Sequence, residues 1–552
     1  MDAPRSDIFG QPGAHTGSGG WRSAPTARAP RHWPWLWLVV GTALLPFANL
    51  QTLVPLTAWL APVFLMRFSR SQRAALGLPV LVVAIAAALL VGLRGGFFPM
   101  AEGAGYYLFV AGLAIGGALP FALDRLVAPR LTGLARTLVF PAAVVALDFI
   151  GTSGNPFGAA GSTAYSQYAS LPLLQMTSIT GIWGLTFLVS WLAPVVNDLW
   201  DQDWQPSTVK VPVVLFLIVT ASALAFGGAR VGFGAPGGDT VRVAALAPDR
   251  RLSELAYSAP DLRGASAEQR ASVRDAHFQP VIDELFTRSA GEARAGARIV
   301  AWSEAAARTL EEDQAAVVAR AADLAREHGV YLQVSMMVQL VLGDDHDGPV
   351  NENHAVLLDP RGSVVWDYQK SRPVPGDGHD AGPGVIPTVD TPYGRLATII
   401  CQDDLFPALV RQAGAAGVDI LLVPSSDWDT IAPWHAQQAP FRAVENGLAL
   451  VRPTRQGISL ASDSQGRLLA HKADYFVGAD QTLVVSVPTR GQQTLYAATG
   501  DWFAVAAIAT LAGLAGYVLR AAVRARRARQ VLDVVASDET ETPGPRDRLL
   551  TR

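Results

Sequence analysis

Residues 390–411, DTPYGRLATIICQDDLFPALVR, decide how this chain is read. The run LATIIC (396–401) is apolar almost throughout, as in a strand covered on both faces. Cys401 closes it. Gln402, Asp403 and Asp404 follow, and LFPALVRQAG then takes up a helical pattern with proline near its start. A strand that ends at a cysteine and turns into a helix holds the sulfur on a tight turn. A helix N-terminus at that point is expected to favour the thiolate. Cys401 is the one cysteine in 552 residues, which excludes an intramolecular disulfide and a cysteine-rich metal site.

The same alternation continues on both sides. VRVAAL (241–246), IVAW (299–302), YLQVSMMV (331–338), HAVLLD (354–359), DILLVP (419–424), LALVRP (448–453) and LVVSVP (483–488) read as buried strands. Helical patterns cover 268–288, 311–328, 405–416 and 434–446. Apolar strands between amphipathic helices predict an α/β layered domain with covered sheets over 238–495. DPRGS (359–363) and DSQGR (463–467) are turn sequences, so hairpins and mixed sheets are expected. Two more chemistry-bearing residues stand at strand ends. Glu304 closes IVAWSE, and Lys370 follows DPRGSVVWDYQ. A carboxylate can take the proton of a thiol as acyl transfer begins. A lysine beside it keeps the carboxylate ionised and can donate to an oxyanion. Each residue alone is ordinary; Glu304, Lys370 and Cys401 on three strand ends of one domain form a specific set.

The rest of the chain has a different character. Half of all residues are hydrophobic and 16% are charged, below the quarter usual in soluble domains. The deficit lies in 33–228 and again at 502–519. Seven apolar runs before residue 230 read as membrane spans, at roughly 33–50, 53–67, 76–93, 106–123, 134–150, 172–198 and 211–228. An eighth lies near 502–519. They lack the alternation of barrel strands and are therefore helices. Arg67, Arg70, Arg73, Arg125, Arg130, Arg136 and the run Arg520 to Arg529 all fall on one side if the count is seven plus one. That side is expected to be the cytoplasm, with 238–495 on the outer face. The expected divisions are a disordered tail at 1–31, a seven-helix unit at 32–230, the α/β domain at 238–495, a last span at 500–520 and a basic cytoplasmic tail at 521–552. No basic run resembles a nucleic-acid surface. The loop NPFGAAGSTAYSQYASLPLLQMTSITGIWG, with Asn155, Tyr165, Ser166 and Gln167, suits a polar headgroup or a docking surface.

The Glu–Lys–Cys order resembles the nitrilase (carbon–nitrogen hydrolase) superfamily. With the spans and the outward domain, it is similar to the apolipoprotein N-acyltransferases. DTPYGRLATIICQDDLFPALVR and SSDWDTIAPWHAQQAPFRAVENGLALVRPTRQGIS (425–459) carry the likeness, together with the 155–184 loop. The resemblance implies an αββα sandwich joined to about eight transmembrane helices in a bacterial inner membrane, with the sandwich on the extracytoplasmic face. It implies Cys401 as acyl-accepting nucleophile, Glu304 as general base and Lys370 as support for the oxyanion and for Glu304. A phospholipid would be the acyl donor and the N-terminal amine of a diacylglyceryl-cysteine lipoprotein the acceptor. No metal or organic cofactor is implied.

The chain also departs from the family. Gln402 and Asp403 stand where Tyr and Glu are usual, Ser303 precedes Glu304 in place of Pro, and Tyr257 takes the place of a family Trp. Tyr257, Gln402, Asp403 and Tyr165 are the substrate-binding or orienting candidates. The family's second Glu after the lysine is missing from SRPVPGDGHD, where Asp377 and His379 are the nearest groups. The segment from Lys370 to Cys401 is short. That feature keeps open a membrane-tethered amidase or acyltransferase acting on another amine or amide. A non-catalytic scaffold would have no need of the three strand-end residues. Asn353 and Arg442 are read as orienting or bracing groups, Asp404 as shaping the turn beside the sulfur, Trp302 and Trp434 as packing, and His435 as a surface or core residue. Asp345 and His346 are read as a polar hairpin tip.

Overall fold

The computed structural model describes residues 33–48, 52–93, 103–205, 209–234, 238–342, 348–473, 475–478 and 481–540. The expected tail at 1–31, Asp345 and His346 lie outside the described residues.

Helices Trp33–Leu44, Pro55–Ser71, Ala74–Gly92, Ala104–Val127, Gly133–Gly154, Ile182–Asp201, Lys210–Phe233 and Trp502–Thr540 occupy the eight apolar runs. Six of them are long and apolar enough to cross a membrane; Trp33–Leu44 and Pro55–Ser71 are shorter. Two boundaries differ from expectation. The sixth helix begins at Ile182 rather than near 172, because Gly181 breaks the chain at φ +62°, and two four-residue helices, Leu171–Leu174 and Thr177–Thr180, precede it. The last helix passes residue 520 and continues to Thr540, since its Ala- and Arg-rich sequence favours helix beyond the apolar stretch.

The bundle has one charged end. Arg70 lies 2.9 Å from both Asp124 and Asp198, Arg136 is 3.2 Å from Asp198, and Arg67 pairs with Asp201. These residues join the ends of Pro55–Ser71, Ala104–Val127 and Ile182–Asp201 to the start of Gly133–Gly154. The opposite end of Gly133–Gly154 leads into the 155–181 loop, and the α/β domain docks there. The arginine-rich loops and the domain therefore sit at opposite ends of the bundle.

Among the described residues the domain has two large mixed sheets and a short parallel pair, Ser425–Ser426 with Thr454–Arg455. One runs in the order Thr482–Pro488, Thr240–Leu246, Ile299–Trp302, Tyr331–Gln339, Asn351–Leu358, Val364–Gln369, with Ala307–Leu310 also paired to Tyr331–Gln339. The other runs Leu468–Lys472, Ser459–Ser462, Ala449–Arg452, Ile420–Leu422, Gly394–Thr398, Thr388–Thr391. The predicted hairpins at 359–363 and 463–467 are present. Val243, Ala245, Ile299 and Leu357 from one sheet meet Leu396, Ile420, Leu422 and Val451 from the other in a single core. Helices Gln279–Arg294 and Gln314–His328 cover one outer face. Pro407–Ala415 and Ala432–Asn446 cover the other. Four layers result, and near-continuous apolar strands are the sequence mark of sheets covered on both sides. The helix expected over 268–288 is interrupted by a π-turn at Arg274–Phe278.

The bundle and the domain share one packed interior. Tyr165, Trp183 and Leu185 pack with Phe441 and Val444 of the domain. Ile182 N donates to Glu445 Oε1 at 2.8 Å, and Gln175 Nε2 donates to Gln465 O at 2.9 Å. Gly158 is held at φ +54°, where a Cβ would lie 2.4 Å from Leu405 O, and Ala159 N donates to that same carbonyl at 2.8 Å. Gly158→Ala is therefore expected to lower stability by about 2–3 kcal/mol through strain and the displaced hydrogen bond. Thermal melting of the purified protein in detergent measures this; an unchanged melting temperature would mean that the loop is not fixed against Leu405.

Candidate active site

Cys401 follows strand Gly394–Thr398. Its pairing persists past the regular strand, as Ile399 N donates to Leu422 O and Cys401 N to Pro424 O at 2.9 Å. The chain then turns sharply at Cys401, with φ +48°, a left-handed conformation rare for a residue with a side chain. Such strain is retained where the surroundings over-determine it, often at functional sites. Cys401 is 4% exposed, and its thiol donates to Ser426 O at 3.6 Å.

Glu304 follows strand Ile299–Trp302 and precedes Ala305, which is also left-handed at φ +50°. Glu304 Oε1 accepts from Lys370 Nζ at 2.7 Å and from Asn353 Nδ2 at 2.8 Å. Lys370 leaves strand Val364–Gln369 and is fixed by its backbone N–H, which donates to Asn353 O at 2.9 Å. Its ammonium also lies 3.5 Å from Asp377 Oδ2. Burial alone would lower the Lys370 pKa, but the Glu304 charge, with Asp377 adding to it, outweighs burial and holds the ammonium charged. Burial would raise the Asp377 carboxyl, yet His379 and Lys370 keep it below the usual range.

Glu304, Lys370 and Cys401 all line one cavity of about 430 Å³. Burial, reinforced by the Glu304 charge and opposed by Lys370, pushes the Cys401 thiol well above its ordinary pKa. This corrects the expectation that a helix N-terminus favours the thiolate. The first helical turn after Cys401 is a tight 3₁₀ turn, Cys401–Leu405, and the α-helix starts only at Pro407. The resting sulfur carries its proton, so attack on an ester needs a base.

The four other candidates separate. Tyr257 lines the cavity, and its hydroxyl donates to Ala305 O at 3.2 Å. Gln402 lines it too, donating from Nε2 to Pro156 O at 2.7 Å and so tying the 155–158 loop to the nucleophile turn. Asp403 points away and acts as a clamp. It accepts from Ile400 N at 2.9 Å, the Tyr368 hydroxyl at 2.7 Å and Arg372 N at 2.7 Å, which fixes the segment after Lys370 against the turn at Cys401. Tyr165 is fully buried against Phe441, accepts from Arg442 at 2.9 Å, and does not line the cavity. It braces the join between bundle and domain.

His435 is the group that sequence reasoning undervalued. It lines the cavity, with Nε2 2.9 Å from Asp404 Oδ1 and Nδ1 2.8 Å from Asp427 Oδ1. Arg452 holds both oxygens of Asp427 at 3.0 and 3.1 Å. Burial disfavours the imidazolium, but Asp404 and Asp427 outweigh burial and the opposing Arg452 charge, raising the pKa to about 9. Cys401, Asp427 and His435 offer ligand atoms within 4.8 Å of one another, a distance compatible with a metal ion. The polar atoms of Asp427 and His435 are nevertheless already engaged by Arg452, Asp404 and each other. Because the folded pKa lies above the ordinary 6.5, His435 contributes stability that is fully present below about pH 6.5 and lost as pH rises through about 9. The contribution is on the order of 3 kcal/mol. Melting temperature is expected to fall across that alkaline window, and His435→Gln should flatten the fall; a variant with the wild-type pH profile would contradict the assignment.

A second cavity, about 490 Å³, lies inside the bundle. Leu65, Ile85, Leu113, Phe121, Phe140 and Gly116 are among its largely apolar lining. Phe157 and Trp434 line both this cavity and that of Cys401, so the two hollows adjoin.

Residues 265–498 match the carbon–nitrogen hydrolase family. The chain is 28% identical over 427 residues to an apolipoprotein N-acyltransferase of Geobacter metallireducens, covering 70% of this chain and 75% of that protein. It is 26% identical over 457 residues to apolipoprotein N-acyltransferase 2 of Treponema pallidum, covering 73% and 80%. Among solved structures, an amidase from Nesterenkonia sp. aligns at 22% identity and a TM-score of 0.34, covering 46% of this chain and 92% of that one.

Proposed function

We propose that this chain is an apolipoprotein N-acyltransferase that moves an acyl chain from a phospholipid, through a thioester on Cys401, to the N-terminal amine of a diacylated lipoprotein. The observation that carries the reading is the adjacency of two hollows. One holds Glu304, Lys370 and Cys401, the other is a largely apolar cavity within the helix bundle, and Phe157 and Trp434 stand between them. A soluble amidase has no use for the second hollow; an enzyme whose substrates carry acyl tails does.

In the first half-reaction Glu304 takes the thiol proton as Cys401 Sγ bonds to the ester carbonyl carbon. Lys370, paired with Glu304 at 2.7 Å, supplies positive charge for the developing oxyanion. When the tetrahedral adduct collapses, the ester C–O bond breaks. The departing glyceryl oxygen takes the proton from Glu304 and leaves as a lysophospholipid. In the second half-reaction the lipoprotein amine attacks the thioester carbon and gives its proton to Glu304. The C–S bond breaks, an amide forms, and the proton returns to sulfur. Asn353 holds Glu304 in place, and Asp403 fixes the Lys370 segment beside the nucleophile.

The arginine-rich end of the bundle is the cytoplasmic end on this reading, because cytoplasmic loops carry the excess of Lys and Arg. The domain at the other end then lies on the extracytoplasmic face of the inner membrane, at the level of its outer leaflet. The short segment from Lys370 to Cys401 supports the second reading, transfer to another amine or amide. Purified protein incubated with phospholipid and a synthetic diacylated lipopeptide should yield the triacylated peptide and a lysophospholipid by mass spectrometry. Thioester formation followed by transfer only to small amines would favour the second reading; no acyl-enzyme at all would sink both.

A further inference from the structure

Two arginines line the cavity that holds Cys401, and neither has a carboxylate partner among the described residues. Arg455 donates from Nη2 to Ser426 Oγ at 2.8 Å and from Nη1 to Ser253 Oγ at 3.4 Å. Arg308 donates to Ala256 O and to Gln339 Oε1, each at 3.3 Å. All four acceptors are neutral. The Nε atoms of both side chains are buried without an acceptor. The neighbouring buried arginines are treated differently: Arg452 is paired with Asp427, and Arg442 lies 3.0 Å from Glu445. Arg455 is 7% exposed. Both free guanidinium groups lie over one ring, that of Tyr257, at 3.9 Å for Arg455 and 5.2 Å for Arg308. Burial, and then the Arg455 charge, make Arg308 easier to deprotonate than usual, with Tyr257 opposing. The carboxylates of the same cavity are taken by other cations, Glu304 and Asp377 by Lys370 and Asp427 by Arg452. Two further cations brought to one ring without a paired carboxylate are costly, and an anionic ligand would relieve the cost.

The place of the pair indicates which anion. Ser426 joins it to the nucleophile: its carbonyl accepts from Cys401 and its hydroxyl from Arg455. Tyr257 joins it to the base, since its hydroxyl donates to Ala305, the residue after Glu304. The anion site therefore lies one residue away from both reacting groups. A glycerophospholipid carries its phosphate only a few bonds from the acyl ester carbonyl, and the planar guanidinium fork matches phosphate oxygens. We propose that Arg308 and Arg455, stacked about Tyr257, bind the phosphodiester of the phospholipid acyl donor and set its ester carbonyl against Cys401. Naming a lipid as the source of the phosphate rests on the function proposed above.

The test uses the full-length protein in detergent and follows acylation of Cys401 by two donors, a phospholipid and a neutral p-nitrophenyl acyl ester. The variants are Arg308→Gln, Arg455→Gln and their combination, with Arg308→Lys and Arg455→Lys preserving charge. In the double variant the ratio of kcat/KM for phospholipid over neutral ester is expected to fall about tenfold or more, as loss of charge-assisted hydrogen bonds implies. Glycerophosphoethanolamine should inhibit acylation by the neutral ester in the wild type, and the double variant should lose that inhibition. The lysine variants should recover part of the ratio. An unchanged ratio, or equal loss with both donors, overturns the proposal by leaving the arginines a purely structural role. Inhibition by inorganic phosphate with no change in phospholipid use overturns the lipid source. If the wild type accepts the neutral ester but no phospholipid, while headgroup inhibition is still lost in the double variant, the donor reading fails and the anion site stands.

Discussion

Cys401→Ala is expected to abolish acyl transfer, with a fall of about four orders of magnitude or more, while the protein still folds and inserts. The two effects separate for a structural reason. The backbone at φ +48° is equally unfavourable for alanine and cysteine, so the substitution adds no new strain. Removing one sulfur from the inter-sheet core costs only about 1 kcal/mol. The chemistry, by contrast, has no other thiol to use, since Cys401 is the single cysteine of the chain. Mass spectrometry of wild-type protein mixed with phospholipid should find one acyl adduct, on Cys401 and released by hydroxylamine. Cys401→Ala should show none, with a melting temperature within a few degrees of wild type. Normal triacylation by the alanine variant would rule out the covalent route.

Glu304→Gln should be nearly as damaging to rate, slowing thioester formation by about 10²–10⁴-fold. The glutamine can still accept from Lys370 and Asn353, so its geometry is preserved while its basicity is gone. A second readout isolates the charge. The Glu304 carboxylate, after burial, is the group that most raises the Cys401 pKa. Removing that charge should lower the pH midpoint for alkylation of Cys401 by iodoacetamide, even though acyl transfer collapses. A faster-titrating thiol in a slower enzyme is an unusual combination, and merely structural damage would not produce it. An unchanged midpoint would show that Glu304 and Cys401 do not interact.

Much of this arrangement was legible in the sequence because it depends on local pattern. LATIIC, IVAW and YLQVSMMV are apolar enough to mark covered strands, and turn residues in DPRGS and DSQGR mark the hairpins. Glu304, Lys370 and Cys401 announced themselves as reactive residues where such strands stop. The less legible features depend on partners distant in sequence. His435 lies on a helix with nothing nearby to show that Asp404 and Asp427 close on it from two different loops. Arg308 and Arg455 are ordinary arginines until folding brings both to Tyr257. The acidity of Cys401 is not legible from its turn into a helix, because burial and Glu304 outweigh any effect of a helix that begins only at Pro407. The polar loop around Tyr165 suggests a substrate contact, yet in the fold its hydroxyl accepts from Arg442.

The contact of Pro156 with Gln402, and of the Gly158–Ala159 backbone with Leu405, has a practical consequence. One wall of the reaction chamber is contributed by a segment that links two helices of the apolar bundle. Trimming the gene to residues 238–498 to obtain a water-soluble catalyst would therefore deliver a vessel with one side missing, its nucleophile turn unsupported and Trp434 facing water. The part that looks freestanding on a hydropathy plot is, mechanically, half of a mould.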